Sequence, residues 1–159
     1  TQHWSSAASD VYKRQIERDL GGLGLMPPCS TYHRFAVGMT GDKMSSSKPE
    51  STIFMDDEIE SMERKVKRAI SGGQPTVEEH RRLGGDVAKD VAFQYLQFFF
   101  ENDDRALAEV KSEYESGRML AGEVKQICID RATDWLTDLK QRRDQMEDSV
   151  ADFLAPDAI

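Results

Sequence analysis

Two lysines bracket three serines in the stretch Gly41-Asp42-Lys43-Met44-Ser45-Ser46-Ser47-Lys48-Pro49. A glycine opens the stretch and a proline restricts its exit. Such a segment can present two ammonium groups, several hydroxyls and free backbone N–H groups to one anion. Polyphosphate is the natural guest. Lysine is a compact charge on a flexible stem and can follow a moving phosphate. Backbone donors in a turn form an anion-binding concavity. The GxxxxGK[ST] spacing of a nucleotide-binding P-loop is absent. On composition alone, a solvated surface loop or a kinase target site fits the same residues.

The elements that must carry this loop change character at about Gly72-Gly73. Before that point the chain reads as short mixed segments and glycine-rich turns; after it, nearly everything reads helical. Residues 31–35 suit a short strand, and residues 52–55 suit a second. Asp56 and Asp57 offer an N-cap to a helix. Ile59, Met62, Val66 and Ile70 fall on one face of that helix, and Ser71-Gly72-Gly73 ends it. Thr76-Val77-Glu78-Glu79 has the form of a capping box, and its helix stops at Gly84-Gly85. A third helix is expected over 88–100, with Val91, Tyr95, Phe98 and Phe99 buried. A fourth follows over 103–116, with Leu107, Val110 and Tyr114 inward and Gly117 as its stop. A long helix is expected over 121–154, roughly 50 Å at 1.5 Å per residue. Val124, Ile127, Cys128, Leu136, Leu139, Met146, Val150 and Phe153 would form its apolar face. This second half reads as an antiparallel helical bundle. In that setting Phe98-Phe99-Phe100 is core rather than a base-stacking platform. His80 reads as structural. Two basic clusters, one of Arg64, Lys65, Lys67 and Arg68 and one of Lys140, Arg142 and Arg143, read as solvated helix faces.

A chain of 159 residues is one domain, or one domain plus part of another. The net charge of -8 argues against a general nucleic-acid coat protein, although a local RNA-binding face survives that argument. Cys29 and Cys128 lie far apart, so a disulfide framework or zinc site is not expected, and a reducing cytoplasm is. No apolar run reaches the length of a membrane span. The first fifteen residues lack the apolar core of a secretory signal.

Lys43-Met44-Ser45-Ser46-Ser47 resembles the KMSKS signature of class I aminoacyl-tRNA synthetases, with Ser46 in place of the usual lysine, a departure also met in the family's tryptophanyl members. The flanks agree. His33-Arg34-Phe35 and Gly38-Met39-Thr40-Gly41 precede it, and Ser47-Lys48-Pro49-Glu50-Ser51-Thr52-Ile53-Phe54 is similar to the family's SxPxxxIF continuation. Ser71-Gly72-Gly73 with Thr76-Val77-Glu78-Glu79-His80-Arg81-Arg82-Leu83-Gly84-Gly85 resembles the SGG…EEHRR block of the tryptophanyl enzymes, in their archaeal and eukaryotic form. Residues 95–104 and 117–125 are similar as well. The resemblance covers about residues 16–155. It leaves 1–15 apart as a doubtful, non-family segment. The family's HIGH motif, most Rossmann strands and the tryptophan pocket are missing.

The resemblance implies a mostly α fold: a C-terminal remnant of a Rossmann catalytic domain over 16–73, then a helical-bundle anticodon-binding domain over 74–159. It implies that tryptophan attacks the α-phosphorus of ATP, giving tryptophanyl-adenylate and pyrophosphate, and that tRNA(Trp) then takes the aminoacyl group. Lys43, Ser45 and Ser47 would be catalytic. Lys43, Met44, Ser45, Ser46, Ser47 and Lys48 would bind ATP, with Mg²⁺ sharing the phosphate charge and Met44 holding the loop against the adenine side through its backbone. His33 is a weaker candidate near the same site, and a structural role suits it slightly better. Asn102, Asp103, Asp104, Arg105, Arg118 and Lys125 are the candidates for tRNA, although Asp103 and Asp104 equally suit the first turn of a helix. The full-length enzyme would be a cytoplasmic homodimer, and the present chain alone would be inactive. The competing readings are a tyrosyl enzyme, a free-standing helical RNA-binding module and a structural helical protein. The SGG…EEHRRLGG block speaks against the first and the lysine-serine loop against the second; the third predicts no tRNA binding at any salt concentration.

Overall fold

The computed structural model describes residues 15, 16, 18–20 and 36–146. The chain divides into two compact units, residues 1–35 and 36–159. In the first, the described residues form a helical turn, with the Leu20 N–H donating to the Ile16 carbonyl at 2.9 Å. The strand expected over 31–35, with His33, lies outside the described residues. So do Cys29, Val150 and Phe153.

The second unit is helical. A 3-10 turn, Pro49–Ser51, precedes α1 (Ile59–Arg68), α2 (Val77–Leu83), α3 (Val91–Tyr95), α4 (Asp104–Glu115) and α5 (Ala121–Met146). A π-helical turn, Leu96–Phe100, extends α3. Helix α5, about 39 Å long at 1.5 Å per residue, is the spine. It buries Val124, Cys128, Ile129, Ala132 and Leu136 along one stripe, and α1, α3, the π turn and α4 all pack on it. Burial pushes the Cys128 thiol up to about 12, so it is an inert core group. Met146, expected on the same stripe, is exposed. Among the described residues no helix is long and apolar enough to cross a membrane.

Several local expectations hold. Thr76 caps α2 by accepting the Glu79 N–H at 3.1 Å, and its hydroxyl meets the Glu79 carboxylate at the same distance. Gly84 ends that helix. Asp103 caps α4, and Tyr114 is fully buried on its inner face. His80 is buried and structural: its Nδ1 accepts the Gln74 N–H, and its Nε2 bonds the Met119 carbonyl at 2.8 Å.

Others are corrected. Residues 52–55 do not form a strand. Among the described residues the only β pairing is an isolated antiparallel bridge between Val37 and Lys43. A strand needs a neighbour for its backbone, whereas here the Phe54 N–H donates to the Asp57 carboxylate at 2.8 Å. Asp57 therefore does not cap α1. Glu58 holds that place without a side-chain bond. Asp57 instead pairs with Lys65 at 2.6 Å, the two side chains being only 12% and 2% exposed. Lys65, which also lies 4.9 Å from the Phe54 ring, thus leaves the solvated basic cluster in which its sequence neighbours place it. Helix α1 ends at Arg68, before the expected glycines, because the Lys125 ammonium reaches over from α5 and takes the carbonyls of Lys67 and Ala69 at 2.9 and 2.7 Å. Ile70 falls outside the helix and is exposed. In the third helix, the π turn adds a residue and rotates the aromatic stripe. Phe99 swings outward to 47% exposure, while Phe100 packs on the core and on Trp135.

Beneath these helices lies a polar hub. Asp90, wholly buried, accepts the Gly72 N–H (3.0 Å) and the Tyr114 hydroxyl (2.8 Å) on one oxygen and the Phe93 N–H (3.0 Å) on the other. It caps α3 and ties the Gly72 segment to α4 in one step. Burial, reinforced by Asp90, pushes the Tyr114 hydroxyl well above its ordinary value, so it remains a donor.

Candidate functional site

The lysine-serine loop rises from a tight turn. Val37 and Lys43 face each other across it. The Gly38 N–H donates to the Asp42 carbonyl at 2.7 Å, and the Gly41 N–H donates back to Gly38 at 2.8 Å. The turn is held down at Met39, whose side chain is buried and whose N–H donates to the Ser51 carbonyl at 2.9 Å. This brings two backbones so close that a Cβ on Gly38 would lie 2.5 Å from the Ser51 oxygen. Only glycine fits there.

The second half of the loop is a turn closed on Ser51. The Lys48 N–H donates to the Ser45 carbonyl at 3.0 Å, and the Ser51 N–H donates to the Lys48 carbonyl at 2.8 Å. The Ser51 hydroxyl accepts the Ser45 N–H at 3.0 Å and donates to the Lys48 carbonyl at 2.7 Å. Pro49 enters the 3-10 turn at its first position, where no N–H is needed. The Ser45 and Ser47 hydroxyls lie 2.8 Å apart.

Met44 is the inward anchor. Its sulfur receives the hydroxyls of Thr52 and Tyr95, each at 3.5 Å. Burial raises the Tyr95 hydroxyl to about 12, which keeps it protonated and a donor. Tyr95 belongs to α3, so the loop rests directly on the helical body. Lys43, Ser46, Ser47 and Lys48 point outward and are exposed, with Ser45 half-buried between them. Neither lysine makes an ion pair among the described residues. The arrangement is an anchored turn that displays two exposed ammonium groups and a pair of hydroxyls on one short arc. Chemically it can receive a polyanion. Gly38, Ser51 and Tyr95 are the supporting residues that sequence reasoning missed. Their roles come from contacts that only the fold creates.

The candidates for tRNA are not brought together in the same way. Asn102, Asp103, Asp104 and Arg105 are exposed at the start of α4. Asp103 is occupied in accepting the Arg105 N–H at 2.8 Å. Arg118 sits beyond the other end of the same 12-residue helix, about 18 Å away at 1.5 Å per residue. There it forms a bidentate pair with Glu113, with contacts of 2.7 to 3.0 Å. Lys125 is committed to the end of α1. Asn102 and Glu101 line an open groove of about 380 Å³ with Phe100, Arg131, Asp134, Trp135 and Asp138.

The family profile described as tRNA synthetases class I (W and Y) matches residues 7–137, and so takes in the latter part of the segment 1–15. The chain is 43% identical over 148 residues to the tryptophan–tRNA ligase of Saccharolobus solfataricus, covering 91% of this chain and 39% of that protein. It is 39% identical over 151 residues to the cytoplasmic tryptophan–tRNA ligase of Mus musculus, covering 92% of this chain and 31% of that one. Among solved structures, the tryptophanyl-tRNA synthetase of Aeropyrum pernix superposes with a TM-score of 0.86 at 30% identity, over 98% of this chain and 42% of that one. The tyrosyl-tRNA synthetase of the same organism shares the fold at a TM-score of 0.65 and 16% identity. The chain spans about two fifths of the first of these curated relatives and less than a third of the second. A profile match over most of the residues, joined to relatives that are tryptophan–tRNA ligases, leads to one conclusion: the chain belongs to the class I tRNA synthetase family of the tryptophan and tyrosine enzymes.

Proposed function

We propose that this segment serves tryptophan–tRNA ligation, supplying the loop that handles the ATP phosphates and a helical body that meets tRNA(Trp). In the full-length enzyme the tryptophan carboxylate attacks the α-phosphorus of ATP, the bond to the bridging oxygen breaks, and pyrophosphate leaves with its negative charge. The aminoacyl group of the adenylate then passes to the terminal adenosine of tRNA(Trp). Groups that meet the departing charge better in the transition state than in the ground state accelerate the first step.

The observation that supports this reading is the display of exposed Lys43 and the Ser45–Ser47 hydroxyl pair on an anchored turn, with Lys43 in no ion pair among the described residues. Lys43 carries the main role, neutralising the leaving pyrophosphate. Ser45 and Ser47 donate to phosphate oxygens, Ser46 and Lys48 complete the rim, and Met44 holds the loop to Thr52 and Tyr95. Among the described residues no cluster of three or more His, Cys, Asp or Glu side chains is suited to a metal ion. Mg²⁺ would accompany the phosphates, where it supplies charge neutralisation. On the RNA side, the exposed Asn102, Asp103, Asp104 and Arg105 at the start of α4 are the favoured contacts, since unpaired bases are read by edge hydrogen bonds. Arg118 and Lys125 contribute only by exchanging their present partners. The 16–73 segment is the tail of the catalytic domain, and the helices after it form the anticodon-binding domain of a homodimer.

The test is aminoacylation of tRNA(Trp) by the full-length enzyme bearing Lys43→Ala. A loss of two or more orders of magnitude, about what removing one preorganised charge-stabilising group costs, supports the reading. Undiminished charging ends it.

A further inference from the structure

We infer that Ser51 is the positioning residue of the 43–48 loop: its hydroxyl fixes the shape in which the loop meets phosphate, without touching the ligand itself. For the ligand this rests on the function proposed above; the latch itself is a property of the chain.

Ser51 is 1% exposed, yet its side chain is spent entirely on the exposed loop. A hydroxyl has one proton and two lone pairs. The proton goes to the Lys48 carbonyl, at 2.7 Å the nearer of two carbonyls; the Ser45 carbonyl is at 3.2 Å. A lone pair receives the Ser45 N–H at 3.0 Å. One buried atom thus spans both ends of the Ser45–Lys48 turn. The backbone of Ser51 is anchored separately, its carbonyl receiving the Met39 N–H. Removing the hydroxyl leaves that anchor and the two backbone bonds of the turn in place, because Lys48 N–H still reaches Ser45 and Ser51 N–H still reaches Lys48. What is lost is the fixed direction of the Ser45 peptide, which carries the Ser45–Ser47 hydroxyl pair and follows Lys43 by two residues. A donor set held in advance stabilises developing charge without reorganising; a loosened one must pay ordering entropy at that moment. The effect of Ser51 therefore falls on the ATP side of the reaction and leaves recognition of tryptophan alone.

Ser51→Ala in the full-length enzyme tests this, with amide hydrogen exchange resolved at Ser45 and steady-state ATP–pyrophosphate exchange. Of the two hydrogen bonds lost, the one from the Ser45 N–H predicts Ser45 exchange about tenfold faster and kcat/KM for ATP lowered about tenfold. The KM for tryptophan should stay near wild type, and the urea midpoint should fall only modestly, with the protein still cooperatively folded. Ser51→Cys, which keeps a weaker donor and acceptor at the same place, should recover part of both losses. Unchanged Ser45 exchange overturns the inference, as does an equal loss for tryptophan and ATP, or a Cys variant no better than Ala. If Lys43→Ala leaves pyrophosphate exchange intact, the proposed function fails instead, and the Ser45 exchange result still decides whether the latch exists.

Discussion

Two stretches carry most of the family resemblance, and the fold uses them in opposite ways. The Lys43–Lys48 loop puts its polar groups outward and its one apolar side chain, Met44, inward. The Ser71–Gly73 and Thr76–Gly85 block leaves Glu78, Arg81 and Arg82 exposed but turns Gly72, His80 and Gly84 to internal use. Gly72 donates to buried Asp90, and a Cβ on it would lie 1.9 Å from the Asp86 carbonyl. His80 spends both ring nitrogens on backbone groups. A motif at one place is an exposed chemical surface, and at the other a packing arrangement. The difference teaches that a recurring motif says a position is constrained, and that only its surroundings say whether the constraint is chemical or architectural.

The comparison breaks if the hub proves dispensable. Asp90→Ala strips the partner from two N–H groups and a hydroxyl at a site with no access to water, and should cost about 3–5 kcal/mol of unfolding free energy. Urea denaturation followed by circular dichroism measures it. Tyr114→Phe removes only one of those bonds and should cost about 1–2 kcal/mol by the same measurement. If the two variants destabilise equally, the hub is not centred on Asp90.

A smaller, pH-dependent effect sits at the start of α4, where Glu101 accepts the Asp103 N–H and pairs with Arg131. The Asp103 hydrogen bond, aided by Arg131, holds the Glu101 carboxyl below the usual range. A group with a depressed folded value contributes stability that is present above its unfolded value and lost as pH falls through the folded one. Glu101→Gln should therefore lower stability near neutrality and flatten its decline in the acid limb. An acid limb identical to wild type would remove Glu101 from the account.

Much of this was legible in sequence where the interaction is local. The Thr76 box, the Asp103 cap and Gly117 all bind partners within a few residues. The lysine-serine loop was visible because its charge and hydroxyls are contiguous. What escaped reading depends on distance along the chain. Tyr114 meets Asp90 and Tyr95 meets Met44 across long sequence separations with no periodic signal. The Asp57–Lys65 pair turned an apparent cap into a buried ion pair. The π turn cannot be told from α-helix by apolar spacing, and it alone exposes Phe99. Ser51, in a serine-rich stretch, was indistinguishable by type from Ser45, Ser46 and Ser47 until burial separated it from them.

The sharpest test sets chemistry against architecture in one variant. Lys43 is exposed and unpaired among the described residues, so Lys43→Ala should leave the urea midpoint within about 0.5 kcal/mol of wild type. In the same protein, tryptophan-dependent ATP–pyrophosphate exchange by the full-length enzyme should fall by about 100-fold or more. Exchange at the wild-type rate with stability unchanged would contradict the account, because the loop would then be only a solvated turn.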